Sequence, residues 1–439
     1  MMDASRRVRI ELDGIVGLGD LEEAAVVFAR SAPALLVGAS IESMIEQLVD
    51  AVVGPFGLPL AVAAQLRAPW ACTGCGSVHG FRRRGFRPKP RRLMTRCGQV
   101  AFRSQQLECV SCERRFAPAA QLLGVGSHQR RSEALSQQAA SLAVEVAYAK
   151  ASRLLVELAG TAVSPRSIRR DVIAMAPAQI GPDAAGEVPV LLLDGTGERA
   201  GPDKFGVALH LAIGLVARRR RGKRVAVEAR LLGATLGESW PVMFDLLGAV
   251  RPGLIVLDGE PELSILAAER FGDVPRQRCL WHLRRGFYKI ARYKDRRPAD
   301  TVNELAGELD DLLVAAYHTG NHETAVADYE TLIERTEAAG ARRAAGFLRD
   351  AFIEAFTFLT NPTAGRLVFG DKGRPDLGTG VLERVMREMN RRTDVGVRWS
   401  IPGIRAILMA KLQRKYGHGP WAPHPEPDRQ PTVRFSLVA

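Results

Sequence analysis

The sequence predicts a mixed α/β protein carrying a catalytic-type sheet, with two small modules ahead of it. Three observations carry that expectation. Two short apolar runs each deliver a carboxylate to a glycine: Val190 to Leu193 ends at Asp194-Gly195, and Leu254 to Leu257 ends at Asp258-Gly259. Around them strand-like and helix-like patterns alternate. Ahead of them, two CxxC pairs and a run of short helices break the chain into smaller pieces.

The strand pattern comes first. Val190–Leu193, Phe205–Val216 and Val225–Leu232 read as a three-stranded meander, with Arg218 to Arg224 (RRRRGKR) as a basic turn bending at Gly222. Glu238–Val250 reads as an amphipathic helix, Leu254–Leu257 as a fourth strand, Glu262–Phe271 as a helix and Arg276–Leu280 as a fifth strand. A meander followed by helix–strand alternation describes a mixed sheet of the ribonuclease H kind. In that architecture the first and fourth strands are neighbours, so Asp194 and Asp258 would meet. Two aspartates that merely open turns after core strands are the simpler reading of the same residues.

The first 66 residues read as a short strand (Arg7–Leu12) and two amphipathic helices (Leu21–Ala29, Ile41–Val52), broken at Gly54, Pro55 and Gly57. Residues 67–120 are more specific. The pair Cys72 and Cys75 is separated by 33 intervening residues from the pair Cys109 and Cys112, and each pair contains a glycine or serine suited to a tight knuckle. Four thiolates in two knuckles match a tetrahedral zinc ribbon, in which one Zn²⁺ holds together a module too small to bury an adequate core. Between the pairs lie nine basic residues from Arg82 to Arg103, with Arg82, Arg83 and Arg84 on a hairpin that could meet phosphates. Cys97 has no partner pair, and His79 is a weaker candidate ligand.

Residues 128–176 turn helical: Ser132–Val146, Ala149–Leu158, a turn at Gly160-Thr161, then Ser164–Ile173 with Ser164 as N-cap and Pro165 at the first helical position. This has the pattern of a helix-turn-helix. Its third helix would present Arg166, Ser167, Arg169 and Arg170 to a major groove while Ile168 faces inward. Residues 176–187 read as a linker to the sheet.

Composition bounds the function. At 439 residues, 46% hydrophobic and 25% charged, the chain is globular, and a net charge of +13 in clusters points to a polyanionic partner such as nucleic acid. The beginning of the sequence lacks the apolar stretch of a secretory signal, and the most apolar early window is interrupted by Glu46, Asp50 and Gln65, so a cytoplasmic, nucleoid-associated location is expected. Six cysteines with two CxxC pairs suit metal binding in a reducing compartment.

The order Asp194, Asp258, CLWH (Cys279 and His282), a long helical stretch and VLERVMREMNRRTDVGVRWS resembles the DDE transposases of bacterial insertion sequences in the Mutator-like superfamily, from about Val188 to Tyr416. The resemblance implies Glu383 as the third acid, with Glu388 as the alternative on another helix face. It implies a ribonuclease H-like core in two parts (188–283 and 377–416) split by an all-helical insertion (284–376), and a tail from 417. It further implies two Mg²⁺ or Mn²⁺ ions held by the three acids, cleavage at element ends and strand transfer into target DNA, and at least a dimer on double-stranded DNA.

Within the insertion, Leu305, Leu309, Leu312, Leu313 and Ala316 mark one apolar face, Val326, Tyr329, Leu332 and Ile333 another, and Leu348, Phe352 and Phe356 a third. Arg219 and Arg220 in the basic turn, and Arg391 and Arg392 after the third acid, are expected beside phosphates. Cys279 and His282 could form half a metal site, a packing pair or a polar contact to DNA, with structural and DNA-positioning roles favoured; Trp281 could stack on a base or fill core. A transposase-derived DNA-binding protein that no longer cuts, and a metal-dependent nuclease, are the competing functions.

Overall fold

The computed structural model describes residues 18–53, 67–126, 128–183, 186–201, 206–221, 224–361, 380–394 and 399–417. The strand expected at Arg7–Leu12, the breaks at Gly54 to Gly57, Gly222 in the basic turn and the tail beyond Gly417 lie outside them. The chain is mixed α/β and divides into two compact units, Met1–Val172 and Ile173–Ala439. Among the described residues no helix is long and apolar enough to cross a membrane.

The first unit begins with α1 (Leu18–Val53). Two separate helices were expected here. The intervening Ala34-Leu35-Leu36-Val37 segment has good helix formers, and the chain continues through Pro33, whose missing N–H removes only one intrahelical bond. Next come β1 (Phe81–Phe86), β2 (Arg91–Thr95), β3 (Gly98–Phe102), β4 (Gln105–Cys109) and β5 (Arg115–Phe116). β4 lies between β1 and β5, both antiparallel to it, and β2 and β3 form a separate hairpin. Ile45, Val49 and Val53 of α1 share one core with Phe81, Val100, Phe102 and Leu107.

After a short turn, α2 (Ala119–Leu122), three helices follow: α3 (Glu133–Glu145), α4 (Tyr148–Ala159) and α5 (Pro165–Met175). Capping fixes their ends. Ser132 Oγ accepts from Leu135 N, Gly160 closes α4 in the left-handed region, and Ser164 Oγ accepts from Ser167 N at 3.2 Å.

The second unit is built on a five-stranded sheet of β7 (Val190–Glu198), β8 (Val207–Arg221), β9 (Arg224–Leu236), β11 (Ile255–Leu257) and β12 (Arg276–Arg278). Its order is β12-β11-β7-β8-β9; β8 runs antiparallel to both neighbours, and β11 runs parallel to β7 and β12. A two-stranded parallel pair, β6 (Gly186–Val188) with β10 (Val250–Pro252), stands beside it. The expected basic turn is much shorter than read, because Arg218, Arg219 and Arg220 pair across the ladder with Val227, Ala226 and Val225. The helix expected over Glu238–Val250 spans only Trp240–Leu246 (α6), with Pro241 in its first turn.

Helices cover the sheet: α7 (Pro261–Phe271), α8 (Leu280–Lys289) running directly into a π-helical turn at Ile290–Lys294, α9 (Ala299–Thr319), α10 (His322–Ala338), α11 (Arg342–Ala355) and α12 (Thr357–Thr360). Beyond residues 362–379, α13 (Gly380–Thr393) and α14 (Ile401–Tyr416) complete the unit. The three apolar faces expected in the helical stretch meet, with Tyr329 donating its hydroxyl to Leu348 O at 3.1 Å. Their core is continuous with Leu192, Ile213 and Val256 of the sheet and with Leu382 and Met389 of α13. Residues 284–361 therefore fold onto the sheet as part of one unit.

Candidate functional site

Two clusters emerge, one in each unit. In the first, Cys72, Cys75, Cys109 and Cys112 bring their sulfurs within 4.8 Å of one another, with Cys72 and Cys112 at 3.5 Å and Cys75 and Cys109 at 3.6 Å. Backbone bonds shape both knuckles: Gly76 N donates to Cys72 O, and Glu113 N to Cys109 O. Burial opposes ionisation of Cys72, yet N–H groups of Cys75 and Gly74 outweigh it and bring the thiol down to about 7. Cys112 has the Arg114 N–H favouring its thiolate but is pushed up to about 12 by the sulfur of Cys72. Four sulfurs sharing protons at this spacing can hold a structural metal such as zinc. His79 and Cys97 lie outside the cluster.

The cations near this centre are only partly available. Arg82 is exposed. Arg83 pairs with Asp50 of α1, and Arg84 forms a fork with Glu108 (Nε to Oε2 3.0 Å), which with Arg115 holds that carboxyl down at about 2. On α5, Arg166, Arg169 and Arg170 are exposed, Ser167 is half-buried and Ile168 is fully buried, the facing expected of them. Asp171, on the inner side, pairs with Arg131 at 2.7 Å.

The second cluster grows from the sheet. β7 and β11 are adjacent and parallel, with Ile255 opposite Leu191 and Val256 opposite Leu192, so Asp194 and Asp258 lie just beyond the last paired residues. β7 was expected to stop at Gly195. It runs on to Glu198 because β8 continues the ladder, Asp194 opposite Leu211. Gly195 is where the stacked rings of His210 and Trp240 (centroids 4.0 Å apart) close in: a β-carbon there would lie 3.1 Å from the His210 ring.

At the end of β11, Asp258 Oδ1 accepts from Glu260 N at 2.8 Å. The turn is backed by Arg278 of β12, which sequence reading missed. Gly259 has φ +93°, and a β-carbon on it would fall inside the Arg278 guanidinium. That cation is buried and paired with Glu354 of α11 at 3.6 Å.

The third acid comes from α13. Glu383 lines a cleft of about 320 Å³ together with Asp194, Trp281, His282 and Asn390, and accepts from Arg387 Nη2 at 2.9 Å. Asn390, with its amide turned to donate, reaches Glu198 Oε1 at 3.1 Å, so α13 is fastened to the strand that carries Asp194. Glu388, the alternative acid, instead pairs with Lys415 of α14. Of the two arginines expected near phosphates, Arg391 is exposed, whereas Arg392 is buried with its guanidinium 4.8 Å from the Trp399 ring. Arg219 and Arg220 belong to the long β8–β9 hairpin rather than to a turn.

Electrostatics tie these acids together. Asp194 is raised to about 7, first by burial and then by the charges of Asp258 and Glu383, against the Gly195 N–H that donates to Oδ1 at 2.8 Å. Among the described residues only the cysteines gather all their ligand atoms within 4.8 Å. The three carboxylates feel one another through their charges, and as a trio they are less tightly gathered than the four sulfurs.

Cys279 and His282 separate by role. Cys279 is fully buried, and its N–H donates to Leu257 O at 2.7 Å, joining the start of α8 to β11. His282 faces the cleft with Nδ1 unpartnered. Its pKa is lowered, mainly by burial, with Arg285 adding to the effect and Asp258 and Glu383 opposing it. Trp281 borders the cleft, its ring edge-on to His282 at 4.8 Å. Comparison with protein-family models and with curated proteins finds no match for this chain.

Proposed function

We propose that the chain is a DNA transposase of the DDE type, resembling the Mutator-like enzymes of bacterial insertion sequences. In this reading the five-stranded sheet is a ribonuclease H-like core, the tetracysteine module is a zinc ribbon, and α3 to α5 form a helix-turn-helix that reads element ends. One observation carries it: Asp194 and Asp258 lie just beyond the paired stretch of two adjacent parallel strands, and Glu383 is near enough for its charge to help lift the Asp194 pKa.

The residues fit a pair of Mg²⁺ or Mn²⁺ ions. The donors are all carboxylate oxygens, suited to hard cations, and their mutual repulsion is what a divalent charge relieves. Asp194, Asp258 and Glu383 would hold the ions, which when bound activate an attacking oxygen and neutralise charge on a departing 3′ oxygen. The protein's own part is positional. Arg285 and Arg387 at the cleft supply charge to a phosphate, and His282 lines the same cleft beside them. Basic α5 and the exposed Arg82 supply phosphate contacts away from the cleft.

A second reading is DNA binding without cutting, which the exposed Arg82, Arg166, Arg169 and Arg170 serve equally well. Incubating the protein with DNA that carries its element's ends, with Mg²⁺ or Mn²⁺, separates the possibilities. A transposase nicks the ends and joins them to target DNA; a nuclease nicks and leaves no joined product; a silent binder retains the ends uncut.

A further inference from the structure

A second cavity, of about 460 Å³, adjoins the carboxylate cleft and shares Trp281 and Arg285 with it. Its volume lies within the range of about 300–1,000 Å³ usual for small-ligand sites. One wall is α8 and the π turn that follows; the other is α9. Aromatic and cationic side chains alternate around it. Trp281, Tyr288 and Tyr293 line it, with Tyr293 69% exposed, and Arg285 lies 4.8 Å over the Trp281 ring.

Two backbone features keep this cavity open. The π turn at Ile290–Lys294 departs from regular helix in the segment that presents Tyr293, and such turns collect at functional sites. Gly307 lies in the interior of α9, where glycine costs about 0.5–1 kcal/mol relative to alanine. Packing does not require it: a β-carbon there would meet nothing within 4 Å, whereas one on Gly286 of α8 would lie 2.6 Å from the Phe347 ring. The missing side chain leaves the floor of the cavity clear.

We propose that this cavity seats an unpaired nucleotide of the DNA strand entering the carboxylate cleft, its base on the Trp281–Tyr293 aromatic wall and its phosphate against Lys289 and Arg285. Arg284 is engaged with Asp310 at 2.8 Å and acts as a wall. Ring faces bind any base by stacking, and the adjacent cations suit the phosphate, so the ligand class is single-stranded DNA without sequence preference. The inference rests on the cleft being a site of DNA strand chemistry.

The test uses the full-length, zinc-loaded chain carrying Asp194→Asn, without added divalent cation. It is titrated with a fluorescent oligothymidine and with a duplex of the same length, followed by anisotropy. Gly307→Phe, which fills the cavity, and Trp281→Ala should each weaken single-strand binding about tenfold and change duplex binding less than about threefold. Exposed Tyr293→Ala, which does not threaten folding, should weaken it by a smaller factor. Lys289→Ala should lower the salt slope by about one. Unchanged single-strand affinity in Gly307→Phe and Tyr293→Ala overturns the proposal, as does equal weakening for both DNA forms. Cleavage by the chain with its acids intact is scored separately. Cleavage without cavity effects sinks the subsite alone, and cavity effects without cleavage support the subsite while sinking the strand-chemistry reading.

Discussion

The tetracysteine cluster and the carboxylate cleft both gather residues far apart in sequence, but they are assembled differently. Each cysteine pair sits in a knuckle four residues long, closed by its own backbone bonds, and one antiparallel sheet brings the knuckles together. The acids come from positions 194, 258 and 383, one within β7, one just past β11 and one on α13. A site closed by local spacing has its four ligands grouped in two short knuckles and needs only its metal to lock them. A site drawn from three distant segments carries uncompensated charge, visible in the raised Asp194, and is finished by what binds to it.

The largest expected effect lies on the cysteine side. Removing zinc, or substituting Cys72→Ser, should forgo binding free energy on the order of 10 kcal/mol and abolish the cooperative unfolding of the first unit, while the second unit's transition persists. Metal analysis finding about one zinc per chain, together with separate melting transitions, checks this. A Cys72→Ser chain that keeps its zinc would break the comparison.

On the acid side, Asp194→Asn or Asp258→Asn should lower end nicking by roughly 10³-fold or more, with little loss of fold, measured on labelled DNA with Mg²⁺ or Mn²⁺. Glu383→Gln should follow them. Glu388→Gln should leave nicking intact and cost less than about 1 kcal/mol, since it removes only a surface pair with Lys415.

A pH series sharpens the contrast. In the folded chain without divalent cations Asp194 keeps its proton up to about 7, against an ordinary 3.8. Its contribution to stability is present in full below 3.8 and lost as pH rises through 7, because the unfolded chain releases that proton first. Asp194→Asn, which cannot ionise, should flatten this part of the profile and raise the second unit's Tm at pH 8 by an amount on the order of a few kcal/mol of stability. At subsaturating Mg²⁺, the concentration needed for half-maximal nicking should rise about tenfold per unit below pH 7. A wild-type profile parallel to that of Asp194→Asn would remove the repulsion.

How much could be read beforehand follows the same division. The cysteine spacing, the Ser164 cap and inward-facing Ile168 follow from local pattern, and the adjacency of the two aspartate-bearing strands follows from the sheet order expected of a meander with helix–strand alternation. What escaped depends on partners far along the chain. The extension of β7 past Gly195 needs β8 opposite it, and the loss of the turn at Arg218–Arg224 needs Val225 to Val227 across the ladder. Joining of the two expected N-terminal helices turned on Pro33, an ambiguous signal at any sequence position. Nothing near Arg278 marks it as buried; its role appears only when Gly259 and Glu354 converge on it. Arg392 reads as a surface cation until Trp399 covers it.

Gly259 and Arg278 occupy what would otherwise be the same volume, so neither position can be altered independently. Gly259→Ala should displace the guanidinium from Glu354 and cost about 3 kcal/mol, whereas a shorter residue at 278 would create the room for a side chain at 259. The turn that carries Asp258 is thus inseparable from β12 and α11. Anyone grafting this acid onto another scaffold would have to move strand, turn and helix as one block, and that block is the smallest transferable piece of the cleft.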